Sequence, residues 1–368
     1  MKHPATGEAL SRRSGQIDAL RIIAVTAVLF DHFGLVLGHG PIGRLGVQFF
    51  LVISGYMISL ILLRGQADIR AGEVSPGRVM LSFYVRRGLR ILPAFYIALA
   101  VTWWLHRPDF AGSLWWHALF GSNILFAITN QWGPPWELAH LWTLSLQEQF
   151  YLIWPLVLLF LPHRWLGKSL IVIALCGLLF RVGAVMLGLN HAVGALTLLP
   201  GSITALCAGS GLAILETKKA VPRWLAEPGV IWPSVACAAF ALANLVNTPG
   251  ELDYLLLEDI WLVPLVALLY AAKNGIAGPV GRALDLKVLQ YLGRISLGVY
   301  LYQFIALDVV SHIFPWLPRK GPVLVALIAM TAVGLAMISW HLVEKPIGSL
   351  KAMANYKAHR VRTRSLTP

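Results

Sequence analysis

Two ionisable side chains interrupt the first long apolar run of the sequence, and their types could support acid–base chemistry. Arg21 and His32 are 11 residues apart, so a helix with 3.6 residues per turn brings them to one face, about 16 Å apart along its axis. That face carries a permanent cation at one end and an imidazole able to act as a general base at the other. Two structural interpretations stay open: Arg21 extends to a polar surface or pairs with Asp18, and His32 only hydrogen-bonds a neighbouring helix.

A carboxylate lies in another apolar run, inside the polar stretch Trp-Thr-Leu-Ser-Leu-Gln-Glu-Gln-Phe-Tyr that spans Trp142 to Tyr151. Counted from the outer end of its run, Glu148 is at roughly the same depth as His32. A buried carboxylate near an imidazole raises the basicity of the ring and fixes its tautomer, which a general base requires. The alternative is a polar clamp that holds two helices together.

The composition indicates the class of protein that must position these groups. Hydrophobic residues make up 57% and charged residues 13% of the 368 residues, and the mean hydropathy is +0.69. The apolar residues form long runs, which excludes an ordinary soluble enzyme and a disordered or fibrous chain. All three cysteines lie inside apolar runs, so they indicate neither a disulfide framework nor a metal site. The chain is therefore predicted to be a polytopic membrane protein.

The apolar runs also predict the architecture, since a membrane span needs roughly 20 apolar residues. Candidate spans cover residues 17–37, 45–63, 84–105, 138–161, 168–189, 194–215, 229–247, 254–272, 288–312 and 322–343. A further piece, 114–129, is short and contains polar residues. Continuous runs favour helices over strands. We expect an all-α polytopic membrane protein with about ten transmembrane helices, one short non-crossing outer segment and no soluble domain.

Basic residues predict the topology. The formal net charge is +13, and Lys and Arg concentrate before the first span, in alternate loops and in the tail. This pattern obeys the positive-inside rule throughout only if 114–129 enters and leaves on the outer side. Both termini are then cytoplasmic, the protein lies in the inner (plasma) membrane, and residues 348–368 form a basic cytoplasmic tail.

Six segments, each weak alone, form a specific pattern over nearly the whole chain. They are Arg21 with His32, Gly46-Val47-Gln48-Phe49-Phe50-Leu51-Val52-Ile53-Ser54-Gly55-Tyr56, Arg86-Arg87-Gly88-Leu89-Arg90-Ile91-Leu92-Pro93, the stretch Trp142 to Tyr151 with Trp154-Pro155, Ile295-Ser296-Leu297-Gly298-Val299-Tyr300-Leu301-Tyr302, and Val343-Glu344-Lys345-Pro346. In this order they resemble the membrane acyltransferases of acyltransferase family 3, which acylate cell-envelope sugars and some small molecules. The resemblance implies that residues 1–347 are a membrane acyltransferase domain.

The resemblance also implies roles for single residues. His32 would remove the acceptor's hydroxyl proton during attack on a thioester, Arg21 would help to position the acyl donor, and Glu148 would join them in the catalytic set. The phosphates of acyl-CoA would dock bidentately on Arg86, Arg87 and Arg90, and positive-inside anchoring is the alternative role of that cluster. The acceptor site is assigned to Ser54, Tyr56, Trp142, Gln147 and Tyr151. Aromatic belts explain most of the tryptophans near the outer side, while Trp132, Trp136 and Trp142 also offer stacking surfaces for a sugar.

Several positions depart from the family pattern by replacing charged residues or histidine with neutral hydrogen-bonding groups. They are Gln48, Gln147, Ser202, Thr204 and Gln303. Either Glu148 or Asp31 then orients His32, or the chain has altered or lost activity.

We therefore expect an enzyme that moves an acyl group, most simply acetyl, from cytoplasmic acyl-CoA to a hydroxyl of an envelope polysaccharide, glycolipid or related small acceptor. Acyl-CoA is its co-substrate, and no metal is expected. The lipid bilayer and the glycan are its partners, and nucleic acid is not. Two alternatives stay open: a proton-coupled transporter that uses His32, Asp31 and Glu148 as a relay, and a catalytically silent family member that binds glycan. The sequence does not define the oligomeric state.

Overall fold

A computed structural model of the protein describes residues 15–34, 41–110, 112–133, 135–188, 193–227, 258–318 and 320–352. Within these ranges the chain forms helices and no strand. The α-helices are α1 Gly15–Phe33, α2 Pro41–Arg70, α3 Pro76–Leu105, α4 Leu114–Ala118, α5 Ser122–Thr129, α6 Leu141–Phe160, α7 Leu166–Met186, α8 Val193–Thr197, α9 Leu199–Thr217, α10 Leu262–Asn274, α11 Gly278–Leu284, α12 Lys287–Arg294, α13 Ser296–Ile313, α14 Pro322–Ser339 and α15 Lys345–Ser349. A π-helical turn, Trp340–Glu344, joins the last two.

Six described segments are long and apolar enough to cross a membrane. They are Ile42–Arg70, Pro76–Leu105, Leu166–Met186, Val193–Thr217, Ser296–Ile313 and Pro322–Ser349. A bent pair, Asp259–Asn274 with Gly278–Leu284, meets at 77° and adds up to one more. The all-helical, multi-pass architecture is confirmed, but the predicted count of about ten spans is not. The predicted span 229–247 lies outside the described residues, as do residues 353–368 of the basic tail.

Two of the predicted spans are helices that are too polar to qualify by composition. The 19-residue helix α1 contains Asp18, Arg21 and Asp31, and the 20-residue helix α6 contains Gln-Glu-Gln at positions 147–149. Both pack against other helices of the bundle, α1 against α2, α12 and α13, and α6 against α2. Neighbouring helices can satisfy polar groups that lipid cannot. The helices that carry the candidate site are therefore those with the weakest apolar signal.

The piece 114–129 forms two short helices, α4 and α5. The longer has 8 residues, which at 1.5 Å per residue span about 12 Å, well below the roughly 30 Å of a bilayer core. Asn123 of α5 exchanges two amide hydrogen bonds with Gln149 of α6, at 2.8 and 3.1 Å. This piece is too short to cross the membrane, and the hydrogen bonds between Asn123 and Gln149 attach it to α6.

Two glycines bring α2 and α9 into close contact. An added Cβ at Gly55 would collide with the carbonyl of Leu206, and one at Gly209 would collide with the carbonyl of Val52. Small residues of this kind let helix backbones approach closely where side chains would hold them apart. The contact fixes the position of α2, which carries Ser54. At the opposite side of the bundle, α7 exposes Leu175 and Leu179, as expected of a helix facing lipid.

Candidate functional site

The first group of polar residues in the bundle interior joins α3 to α6. The Nε of Arg87 lies 3.8 Å from Oε1 of Glu148, and the Arg87 guanidinium carbon lies 3.9 Å from the ring centre of Tyr151. On the neighbouring α1, the guanidinium carbon of Arg21 lies 4.9 Å from the ring centre of Phe50. Cations over aromatic faces gain electrostatic attraction while losing water. We call these four residues, Arg21, Arg87, Glu148 and Tyr151, together with Ser54 and Gln147, the inner centre.

Gln147 organises the hydroxyl groups of the inner centre. Its Oε1 accepts hydrogen bonds from the Tyr151 hydroxyl at 3.0 Å and from Ser54 Oγ at 3.5 Å. Gln147 is 5% exposed, so its amide supplies a buried acceptor without adding a charge. Three of the five predicted acceptor residues, Ser54, Gln147 and Tyr151, are thus brought together with Arg87 and Glu148.

A fourth cation joins the predicted arginine cluster. Burial lowers the pKa of Lys351, and the charges of Arg90 and Arg86 lower it further, while Glu344 opposes them. Lys351 belongs to the predicted cytoplasmic tail, yet the turn that carries it packs against α3. Its only signal in the sequence is its place among the basic residues after the Glu-Lys-Pro motif. Like charges this close repel one another, and a bound anion or a carboxylate such as Glu344 offsets that repulsion.

The second group of polar residues surrounds His32 and joins α1 to α13. The His32 Nδ1 lies 3.0 Å from Oε1 of Gln303, and the Gln303 Nε2 donates to the carbonyl of Tyr300 at 3.0 Å. Because a carbonyl only accepts, this bond fixes which end of the amide is oxygen, and that oxygen in turn requires Nδ1 to carry the proton. In the neutral ring, Nε2 of His32 is therefore the nitrogen that carries the lone pair. From the sequence we expect Glu148 or Asp31 to orient this ring, but Gln303 lies against its Nδ1, and Glu148 lies beside Arg87.

His140, which sequence reasoning missed, completes this outer group. Its ring stacks on Phe304 at 5.1 Å between centres, and the ring of His32 lies 5.5 Å from the same phenylalanine. His140 is 3% exposed, so its ring is buried beside that of Phe304. Trp136 contacts Phe304 edge-on at 5.0 Å. We call His32, His140, Gln303, Phe304 and Trp136 the outer centre.

Two predicted acceptor residues lie elsewhere. The Tyr56 hydroxyl donates to Glu216 of α9 at 2.8 Å, and Lys273 donates to the other oxygen of that carboxylate. Trp142 is buried under Arg44, whose guanidinium carbon lies 5.2 Å from its ring centre. Tyr56 therefore does not reach either centre, and the guanidinium of Arg44 covers the ring of Trp142.

The neutral residues on α9 are matched by charges from other elements. Ser202 Oγ accepts a hydrogen bond from Arg44 at 2.9 Å, and Thr204 Oγ1 donates to Asp259 at 2.8 Å. Asp259 also forms an ion pair with Arg181, whose side chain is fully buried. The charged groups that α9 lacks relative to the family pattern are thus supplied by Arg44 and Asp259, which lie on other elements.

A histidine and carboxylate cluster lies just beyond the C-terminal end of α3. The His106 Nε2 lies 2.9 Å from Asp308 Oδ2, while its Nδ1 lies 3.7 Å from Asp109 and 3.9 Å from Glu137. Burial alone would lower the pKa of His106, but the hydrogen bond and charge of Asp308 and the other carboxylates outweigh it and raise that pKa. Burial raises the pKa of Glu137. Among the described residues, no group of three or more His, Cys, Asp or Glu side chains has an arrangement able to hold a metal ion.

The fold and the two centres define a class: polytopic membrane proteins whose helices enclose ionisable groups. The family model described as an acyltransferase domain matches residues 14–341. The chain belongs to this acyltransferase family, and the resemblance inferred from its motifs is confirmed.

Relatives with assigned names point the same way. The putative peptidoglycan O-acetyltransferase YrhL of Bacillus subtilis (strain 168) is 29% identical over 361 aligned positions, covering 90% of this chain and 54% of the relative. The O-acetyltransferase OatA of Staphylococcus aureus (strain NCTC 8325 / PS 47) is 28% identical, covering 90% of this chain and 56% of the relative. The peptidoglycan O-acetyltransferase OatA of Listeria monocytogenes serovar 1/2a is 26% identical, covering 90% and 55%. The chain thus spans about half the length of these curated relatives, and no solved structure matches it.

Proposed function

We propose that this protein transfers an acetyl group from cytoplasmic acetyl-CoA to a hydroxyl of a cell-envelope glycan. The observation that carries the proposal is the pair of centres on one face of α1, with Arg21 in the inner centre and His32 in the outer centre. Eleven residues separate them, or about 16 Å of helix. Family membership supports acyl transfer, and the names of the relatives support peptidoglycan as the acceptor class.

The donor binds at the inner side. Arg86, Arg87, Arg90 and Lys351 supply the positive charge that the phosphates of CoA require, and the guanidinium groups add bidentate hydrogen bonds. Arg21 lies further along the same path and directs the thioester end towards His32. Glu148 holds Arg87 in place, so it acts as a positioning residue in the donor site.

The acceptor reacts at the outer centre. The Nε2 lone pair of His32 takes the hydroxyl proton as the acceptor oxygen attacks the thioester carbonyl carbon. A carbon–oxygen bond forms, the carbon–sulfur bond breaks, and the proton passes from His32 to the departing thiolate. The products are the O-acetylated glycan and CoA with a free thiol.

The proposed topology follows the charge pattern. Residues 1–347 form the membrane acyltransferase domain, residues 348–368 are cytoplasmic, and both termini face the cytoplasm of a protein in the inner membrane. This arrangement presents the arginine cluster to cytoplasmic CoA and His32 to the envelope.

The test is His32→Gln in purified protein supplied with acetyl-CoA and soluble peptidoglycan fragments. Glutamine can hydrogen-bond Gln303 but cannot take a proton, so acetylated product should fall by about 10² to 10⁴. His312→Gln is the matched control, since His312 is an exposed histidine at the end of α13, and its activity should stay at the wild-type level. Near-normal acetylation by His32→Gln would refute the general-base assignment.

A further inference from the structure

A small cavity lies at the middle of the bundle, where α1, α2, α6 and α13 meet. Its volume is about 30 Å³. Its apolar lining includes Val25 and Val28 of α1, Phe50 of α2, Leu144 of α6 and Leu297 of α13. The cavity is therefore a largely apolar space between four helices.

The cavity lies between the two centres. Its α1 residues, Ala24, Val25 and Val28, fall between Arg21 and His32 on the same helical face. At its inner end, Phe50 contacts the Arg21 guanidinium. At its outer end lies Tyr300, whose carbonyl holds the amide of Gln303 and through it the ring of His32. The cavity therefore lies along the face of α1 that joins the inner centre to His32.

The polar atoms that reach the cavity are already engaged. The hydroxyls of Thr143 and Tyr300 lie 2.7 Å apart and share a hydrogen bond, and the carbonyl of His140 accepts from whichever hydroxyl does not donate to the other. Gln147 accepts from Tyr151. What remains is a wall of methyl and aromatic groups, which suits an apolar occupant and offers water few partners.

The volume limits the size of that occupant. A space for one water needs about 10 to 15 Å³ on the same measure, so 30 Å³ holds roughly two such units. An acetyl group has one methyl and one carbonyl. A propionyl chain adds a methylene, which would force Val28 or Leu144 away from packed neighbours.

We propose that this cavity, the acyl slot, receives the acyl group of the donor and restricts it to acetyl. The inference rests on the proposed function and extends it by naming the residues that select the acyl group. Val28 is the residue that sets the length limit, since it lies in the slot on the His32 side of α1.

The experiment compares acetyl-, propionyl- and butyryl-CoA as donors in purified protein. One methylene in an apolar pocket changes kcat/KM by about 10- to 200-fold, so wild type should prefer acetyl over propionyl by at least about tenfold. Val28→Ala should raise the ratio of kcat/KM for propionyl-CoA to kcat/KM for acetyl-CoA by about tenfold. Val28→Ile, which fills the slot, should slow acetyl transfer while inhibition by free CoA, which lacks an acyl group, stays unchanged.

Val310→Ala is the matched control, because Val310 is as buried as Val28 and lies on α13 away from the slot. Its donor preference should equal that of wild type. If the protein transfers acetyl groups but neither Val28→Ala nor Val28→Ile changes its donor preference, the acyl slot is refuted and the proposed function stands. No transfer from any acyl-CoA by wild type would overturn the proposed function and the slot together.

Discussion

The hydrogen bond between Gln303 and His32 gives the sharpest test of the outer centre. Gln303→Met keeps the length and approximate volume of the side chain but removes the Oε1 that accepts from His32 Nδ1 at 3.0 Å. Without this acceptor the imidazole is free to rotate and to exchange tautomers. A larger fraction of molecules then presents a protonated nitrogen to the acceptor and cannot act as base.

The expected size of the effect follows from the geometry. Gln303 is fully buried, and a neutral hydrogen bond of this kind contributes about 0.5 to 1.5 kcal/mol. Because about 1.4 kcal/mol corresponds to a tenfold change in rate, kcat should fall by about two- to twelvefold. That loss is smaller than the one expected for His32→Gln, since the base itself remains. Gln303→His, which restores a nitrogen lone pair opposite Nδ1, should recover part of the activity.

The assay is kcat for acetyl transfer per mole of folded protein, with thermal unfolding measured in parallel. Gln66→Met is the matched control: Gln66 is a buried amide that donates to the carbonyls of Leu158 and Leu161, away from both centres. It should lose stability but keep kcat. If Gln303→Met loses no more kcat than Gln66→Met does, Gln303 is only a helix clamp and the tautomer argument is wrong.

Three further predictions address the rest of the molecule. Replacing Arg87 and Arg90 together by alanine should weaken acetyl-CoA binding, measured by calorimetry, by about 1.5 to 3 kcal/mol per lost charge-assisted contact. Replacing both by lysine should restore only part of that affinity. Unchanged affinity in the alanine variant would leave the arginines a role in topology alone. The pKa of His106 is raised, so the ion pairs of its protonated ring stabilise the fold fully below the ordinary histidine pKa and are lost as pH rises through the raised value. His106→Asn should therefore lower thermal stability at pH 6, by about 1 kcal/mol or less. At pH 9 the same substitution should have scarcely any effect. In a chain whose native cysteines are replaced, a cysteine at Gln131 should label from outside the cell and one at Ser75 only from inside, and the reverse result at Gln131 would contradict the proposed topology.

Much of the fold could be predicted because membrane spans leave a strong compositional signal. The segments around α2, α3, α7, α9, α13 and α14 appear in the sequence as long apolar runs and in the structure as long helices. The signal is weaker for α1 and α6, which carry polar residues that contact neighbouring helices. It does not predict the 77° bend before Gly278–Leu284, since a change of direction depends on packing and not on apolar content.

The site could be predicted only in part, because spacing along a helix says which residues share a face and not which helices meet. The face of α1 with Arg21 and His32 follows from periodicity. The partners of those residues do not: Gln303 comes from α13 and Lys351 from a turn at the far end of the described chain. His140 precedes the polar stretch of α6 by two residues, and only the packing of Phe304 shows that it belongs with His32.

The neutral residues that depart from the family pattern are consistent with a working site because of where they lie. Gln147 and Gln303 are nearly or fully buried, and both use the amide oxygen as an acceptor, one for the Tyr151 hydroxyl and one for His32. Holding a carboxylate in such a place costs far more than holding an amide unless a cation pairs with it. An amide fixes the geometry at a lower desolvation cost, and at Gln147 it also avoids adding negative charge beside Arg87. The one carboxylate retained in that stretch, Glu148, is the one that Arg87 accompanies, so positive charge at the inner centre stays available for a polyanionic donor.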